Sequence, residues 1–71
     1  MKPNKEMVGH RVLYRYVGKT MFITDNRIEE AKIEEISPDG KYVKIAPLYG
    51  QGVWYSVGEI EILSVLENGE K

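Results

Sequence analysis

Aromatic side chains are the residues of this chain whose types and spacing best suit a chemical task, the binding of another molecule. Trp54, Tyr49 and Tyr55 lie within seven residues of one another, and Tyr16 lies on an earlier predicted strand. An exposed Trp beside a Tyr forms a flat amphipathic surface that anchors peptides or stacks on bases. We therefore predict a groove of Trp54, Tyr49 and Tyr16 that recognises a protein or peptide. Glu59 is the predicted counter-charge for a bound cationic side chain.

The phase of the strand around Trp54 decides whether this residue reaches the surface. If Val53, Tyr55 and Val57 point inward, Trp54 and Ser56 point outward, because side chains alternate along a strand. In the opposite phase Trp54 is the core tryptophan of a small domain, and Tyr55 lies outside. Both phases stay open at the sequence level, because a bulge at the neighbouring glycines shifts the alternation.

Basic residues near the start of the chain favour a second binding chemistry. The formal net charge is −1, but residues 1–27 carry six basic and two acidic side chains, whereas residues 28–71 carry four and nine. The simplest interpretation is that these charges solvate two surfaces of a small domain. The alternative is a nucleic-acid interface, in which basic side chains contact phosphates while Trp54 or Tyr16 stacks on a base. The basic residues of that interface are Arg11, Arg15, Lys19 and Arg27.

Residues with catalytic or metal-binding chemistry are few. His10 is the single histidine, there is no cysteine, and no serine lies in a nucleophile motif. Alternating glutamates such as Glu34 and Glu35 suit a solvated strand face better than a buried acid–base pair. One histidine among scattered carboxylates offers no metal-ligand spacing, and no glycine-rich phosphate loop precedes a helix. We therefore expect a protein that is not an enzyme and has no metal site and no cofactor.

The stretch 31–45 predicts a β-hairpin, and the rest of the chain is arranged around it. The turn sequence Ser-Pro-Asp-Gly-Lys at 37–41 suits a three-residue loop in which Gly40 adopts the left-handed conformation. Pairing Ser37 with Lys41 puts apolar residues on one face and opposite charges on the other. The predicted pairs are Ile36–Tyr42, Glu35–Val43, Glu34–Lys44, Ile33–Ile45 and Lys32–Ala46.

The segment 28–36 has two interpretations. Its Glu, Ala, Lys and Ile residues favour a helix capped by Asp25, with Ile28 and Ala31 on one stripe. Ile33 would lie off that stripe, however, whereas a strand pairs every residue of the hairpin. We therefore predict a strand.

Three further strands complete the predicted domain. In the first, Val12 and Tyr14 point inward, and the flanking residues Arg11 and Arg15 face solvent. The connection 18–27 is long for so small a domain, and we expect Met21 or Phe22 to pack into the core. The predicted strands are residues 10–17, 53–57 and 60–66, with a tight corner at residues 58–59.

Seventy-one residues suffice for one small domain. We expect a flexible N-terminal arm over residues 1–7, a domain over residues 8–67 and a polar tail over residues 68–71. The absence of cysteine permits a reducing compartment, and no apolar run approaches the ~20 residues that cross a bilayer. The predicted location is therefore the cytoplasm, without a membrane partner.

The run from Val8-Gly9 through EAKIEEISPDGKYVKI to WYSVGEIEILSVLE resembles the small SH3-like or Tudor-like barrel proteins encoded by phages and mobile elements. In those proteins a strand, an S-P-x-G hairpin, a Trp-containing strand and a closing I-E-I-L strand follow in this order. The resemblance covers residues 8–67 and implies an all-β, five-stranded SH3-like barrel with a long loop after its first strand. It also implies a binding role without specifying the ligand. Self-assembly through an exposed edge strand is a further alternative.

Overall fold

A single five-stranded antiparallel sheet forms the fold in the computed structural model, which describes residues 1–18 and 27–66. The spatial order of its strands is β4-β3-β2-β1-β5, so β4 and β5 lie at the two edges. The predictions of an all-β chain and of five strands are confirmed, with boundaries within about two residues of those predicted. The strands are β1 (Arg11–Tyr16), β2 (Glu29–Ile36), β3 (Tyr42–Pro47), β4 (Val53–Ser56) and β5 (Ile60–Val65), accompanied by 3₁₀ turns at Lys5–Met7 and Val57–Glu59.

The strand β2 shows why the helical interpretation of this segment fails. Ala31 and Ile33, two residues apart, are both fully buried, as the two-residue period of a strand requires. A helix would place them about 200° apart around its axis, so that only one could face the core. β2 also pairs with β1 on one side and with β3 on the other, which satisfies its backbone groups. The core consists of Met7, Val12, Ala31, Ile33, Val43, Ile45, Val57, Ile60 and Ile62.

The turn between β2 and β3 is held by its own side chains. The Asp39 carboxylate accepts hydrogen bonds from the Ser37 hydroxyl at 2.7 Å and from the Lys41 backbone N–H at 3.0 Å. These bonds stabilise the charged form and lower the pKa of Asp39. The Ser37 hydroxyl oxygen in turn accepts from the Tyr42 N–H at 2.9 Å. Gly40 has φ +75°, which confirms the predicted left-handed residue.

The predicted hairpin register is correct in the half far from the turn and wrong in the half next to the turn. Ile33 lies opposite Ile45 as predicted, but Glu35 lies opposite Lys44, one residue out of step. The Ser37 N–H donates to the Tyr42 carbonyl at 2.9 Å, so the loop holds four residues instead of three. A bulge at Glu34 absorbs the extra residue and keeps the buried residues of β2 facing the core.

The connection between β4 and β5 forces the sheet to curve. Four strand spacings of ~4.8 Å would separate the edges of a flat sheet by about 19 Å, whereas four residues span at most about 14 Å. Only Val57–Glu59 joins these edges, so the sheet must bend until they approach. Within the described residues β4 and β5 do not pair, and the sheet is therefore curved but open.

The prediction of a flexible arm over residues 1–7 is wrong, because this segment packs against the sheet. Met7 is 4% exposed and belongs to the core, and Pro3 is buried. The Met1 carbonyl accepts from the Ile62 N–H at 2.7 Å, and the Met1 amino group donates to the Ile62 carbonyl at 3.1 Å. Apolar burial and these backbone bonds hold the segment against the sheet. The predictions for Met21, Phe22 and the tail at 68–71 lie outside the described residues.

Substituting Gly40 with Ala tests the turn. No atom lies within 4 Å of the position of an added Cβ, so the cost comes from the positive φ alone. We expect Gly40→Ala to lower the free energy of unfolding by about 1–2 kcal/mol. The measurement is urea denaturation followed by circular dichroism.

Gly58→Ala is the matched control. Gly58 does not have a positive φ, and an added Cβ would lie 4.0 Å from the Ser56 Oγ. We expect this variant to unfold within about 0.5 kcal/mol of the unsubstituted protein. Equal destabilisation by the two substitutions would contradict the left-handed turn.

Candidate functional site

An aromatic pocket lies where the ends of β1, β2 and β4 approach one another. Its volume is about 340 Å³, near the lower end of the ~300–1,000 Å³ typical of small-molecule sites. Three tyrosines and two charged side chains line it. The lining residues are Tyr14, Tyr16, Arg27, Glu29 and Tyr55. We call this cavity the tyrosine pocket.

The strand geometry brings the three rings together. Tyr14 and Tyr16 lie two residues apart on β1 and therefore project to the same side of the sheet. Tyr55 comes from β4, three strands away in the sheet order, and only the curvature of the sheet brings it near β1. The ring centroids of Tyr16 and Tyr55 lie 6.2 Å apart with the planes tilted by 56°, within the range of favourable aromatic pairs.

Tyr14 is paired with an acid across the sheet. The β1–β2 register places Glu29 directly opposite Tyr14, and the two side chains form a hydrogen bond. Partial burial, followed by the nearby Glu29 charge, raises the pKa of Tyr14 to about 12. Tyr14 is therefore a neutral donor at physiological pH, and the Glu29 carboxylate accepts a hydrogen bond from its hydroxyl.

A second acid holds Tyr16 in the same way. The hydroxyl of Tyr16 is hydrogen-bonded to Glu59, and partial burial together with this bond raises the pKa of Tyr16. The backbone N–H of Val17 donates to the Glu59 carbonyl at 2.8 Å, which fixes the acid beside β1. Gly18 leaves the space that the hydroxyl end of the Tyr16 ring occupies, since a Cβ there would overlap it.

The four residues of the predicted groove lie in two places. Tyr16 lines the tyrosine pocket and its hydroxyl is hydrogen-bonded to Glu59 just outside the lining, whereas Trp54 and Tyr49 do not line the pocket. Trp54 is 46% exposed on the opposite face of β4, across from Lys44 of β3. Tyr49 is 91% exposed in the loop between β3 and β4. The outward phase of Trp54 is therefore the one that the protein adopts, because Tyr55 occupies the inner face.

Two of the four basic residues that the sequence singled out form ion pairs with acidic side chains. The Arg15 guanidinium contacts the Glu61 carboxylate through Nε at 2.8 Å and through an Nη atom at 2.7 Å. Arg11 Nε lies 3.0 Å from a carboxylate oxygen of Glu30. Arg27 lines the tyrosine pocket, away from these two pairs. Lys19 lies outside the described residues. The described part of the chain therefore does not bring these cations together in one basic face.

Residues 1–18 and 27–66 contain neither a metal-ligand cluster nor a membrane-spanning helix. No group of three or more His, Cys, Asp or Glu residues there has the arrangement of a metal site. His10 Nδ1 is buried without a hydrogen-bond partner. Among the same residues no helix has the length and apolar character needed to span a bilayer.

Three members of the pocket were not predicted as site residues, namely Tyr14, Tyr55 and Glu29. The sequence holds one usable signal, the two-residue spacing of Tyr14 and Tyr16 on a single strand face. Nothing local in the sequence indicates that Glu29 faces Tyr14, because that pairing depends on how the long connection returns the chain to the sheet. Comparisons of the chain with protein-family models, with curated proteins and with solved structures found no match.

The raised pKa of Tyr14 gives an alkaline signature. Its folded-state pKa of about 12 exceeds the ordinary tyrosine value of about 10, so it stabilises the fold fully below pH ~10 and loses this contribution as pH rises towards ~12. We expect the ionisation of Tyr14 to appear near pH 12 in ultraviolet absorbance titration.

Tyr14→Phe should remove the ionisation near pH 12 while leaving the ring in place. Tyr49→Phe is the control, because Tyr49 is almost fully exposed and does not line the pocket, so the ionisation near pH 12 should remain in this variant. A titration in which Tyr14→Phe removes only an ordinary ionisation near pH 10 would contradict the Tyr14–Glu29 interaction.

Proposed function

We propose that this protein is a non-catalytic binding module that recognises a protein segment by taking one of its cationic side chains into the tyrosine pocket. The observation that carries this proposal is the convergence of three tyrosine rings and the Glu29 carboxylate on one cavity of about 340 Å³, beside which Glu59 is hydrogen-bonded to the Tyr16 hydroxyl. A pocket of that size suits a single side chain rather than a large ligand.

Charge at the pocket favours a cation. Glu29 and Arg27 line the cavity with one charge of each sign, and Glu59, which is hydrogen-bonded to the hydroxyl of Tyr16, adds a negative charge beside it. Both acids accept hydrogen bonds from tyrosine hydroxyls, so the rings remain neutral, and neutral aromatic rings attract cations. A lysine or arginine side chain offers an apolar stem for the rings and one positive charge for the acids.

We infer that the curved sheet is of the SH3-like type. Three features support this assignment: the order β4-β3-β2-β1-β5, the long connection after β1 and the 3₁₀ turn between β4 and β5. A cysteine-free chain suits a reducing compartment, and we place the module in the cytoplasm as part of the same proposal.

Nucleic-acid binding is less well supported than this function. Phosphate groups would have to compete with Glu61 for Arg15 and with Glu30 for Arg11, since both arginines are already in ion pairs. Trp54 lies across the sheet from the tyrosine pocket, so it does not share a stacking surface with Tyr16.

Single-residue probes test the preference for a cation. N-acetyl-lysine N-methylamide and its norleucine analogue share an aliphatic stem and differ in the terminal ammonium. We expect the lysine compound to shift the NMR resonances of Tyr14, Tyr16 and Tyr55 with a dissociation constant ~10-fold lower than that of the norleucine compound. Equal affinities would overturn the proposal.

Glu29→Gln separates the pocket charge from the overall charge. The Gln side-chain oxygen can still accept a hydrogen bond from the Tyr14 hydroxyl, but the negative charge is lost. The lysine probe should therefore bind several-fold more weakly. Glu35→Gln is the matched control, because it removes the same charge from an exposed residue of β2 that lies opposite Lys44. If both variants weaken binding equally, the pocket acids have no specific role.

A further inference from the structure

Among the described residues, the edge strand β4 lacks the charges, proline and bulges that commonly prevent edge strands from pairing. Its sequence, Val-Trp-Tyr-Ser, contains no charge and no proline. Its four pairs with β3 run without a register shift, so no bulge interrupts the edge. Val53 and Trp54 are each nearly half exposed. Regular, uncharged, apolar edges of this kind are templates for another strand.

The hydrogen-bond phase of β4 shows which of its backbone groups face outward. The Val57 N–H donates to the Lys41 carbonyl at 2.9 Å, towards β3. The N–H and the carbonyl of Tyr42, which lies opposite Ser56, are both used by Ser37 on the β2 side. Tyr42–Ser56 is therefore a non-hydrogen-bonded pair of the β3–β4 ladder. By alternation, the N–H and carbonyl groups of Trp54 and Ser56 point to the open edge.

The β5 edge of the sheet, in contrast, is partly covered by Met1 and is irregular. Met1 forms two backbone hydrogen bonds to Ile62 on the outer side of β5. A register shift relative to β1 makes Leu63 an extra residue within β5. A second copy of the chain therefore finds its best partner edge at β4 and not at β5. Pairing of like edges is isologous and closes as a dimer instead of extending into a filament.

We propose that two copies of this chain associate through antiparallel pairing of their β4 strands, with Trp54 of each copy opposite Trp54 of the other. A two-fold axis normal to the sheet keeps the outer faces of both copies on the same side, so an outward residue must oppose an outward residue. This register makes Trp54 a hydrogen-bonded pair and places Ser56 of each copy opposite residue 52 of the other. The two indole rings then form a cross-strand aromatic pair.

Charge permits this arrangement. The strand carries no charge, and the nearest cation on its outer face, Lys44, lies 3.9 Å from the Glu34 carboxylate. Each copy has a net charge of only −1, so long-range repulsion is small. Four residues per strand form an interface below the ~1,200 Å² of stable complexes, so the association is weak and reversible. The dimer uses the edge opposite β5 and does not depend on the tyrosine pocket.

Ser56→Pro tests the pairing directly. The φ of Ser56 is −68°, which proline adopts without strain, and its side chain makes no capping hydrogen bond. Its N–H points to the open edge, so proline removes no bond to β3 and only blocks a new strand. Ser56→Ala is the matched control because it keeps the N–H. Analytical ultracentrifugation up to millimolar concentration compares the association of both variants with that of the unsubstituted chain.

We expect the mean mass of the unsubstituted chain and of Ser56→Ala to rise from 8.2 kDa towards twice that value. The fluorescence of Trp54, the single tryptophan, should shift to shorter wavelength over the same range. Ser56→Pro should raise the dissociation constant at least ~10-fold. Trp54→Lys, which opposes two like charges across the axis, should do the same and serves if the proline variant is unfolded. A monomer at every concentration, or equal association of the proline and alanine variants, would overturn the proposal.

Discussion

The three residues between β4 and β5 impose the constraint on which the rest of the structure depends. They are too few to connect the two edges of a flat five-stranded sheet, so the sheet curves and its inner face encloses the core. The turn is anchored at both ends, because Val57 bonds to Lys41 before β3 and Glu59 bonds to Val17 after β1. The same curvature brings Tyr55 to within 6.2 Å of Tyr16. The proximity of the Tyr16 and Tyr55 rings in the pocket is thus a consequence of a short connection.

The sequence supports the fold prediction best where local and non-local signals agree. The turn residues 37–41 and the buried pair Ile33–Ile45 both indicate the same hairpin, and both were predicted correctly. The error begins at Glu34, where the loop proved to be one residue longer. Loop length is decided by whether the Ser37 N–H bonds to residue 41 or to residue 42, and both choices suit the same turn residues. A bulge at Glu34 restores the alternation of buried and exposed residues along β2. The intrinsic preference of glutamate for a helix or a strand does not indicate such a bulge.

The site was harder to predict than the fold because it depends on contacts between distant strands. Trp54 attracted attention as the largest aromatic side chain, and its outward phase was one of two considered. Its neighbour Tyr55, assigned in that phase to the inner face, proved to line the pocket. Tyr55 reaches Tyr16 only through the curvature of the whole sheet, and Tyr14 faces Glu29 only through the β1–β2 register. Neither relation appears in the local pattern of residues. The N-terminal segment was mispredicted for a related reason, since burial of Met7 depends on a core that the segment itself does not reveal.

Alternation along β4 separates the two surfaces to which function is assigned. Tyr55 belongs to the inner face and the tyrosine pocket, whereas Trp54, one residue before it, belongs to the outer face and the open edge. The edge groups used in strand pairing are those of Trp54 and Ser56, while the Tyr55 backbone is directed to β3. Binding a cation at the pocket therefore needs no backbone group from the edge, and pairing at the edge needs no tyrosine ring. Because β4 contributes to both proposed surfaces, two copies joined at this edge would hold their pockets in a fixed relation, and a partner with two suitably spaced cationic side chains would gain affinity from both.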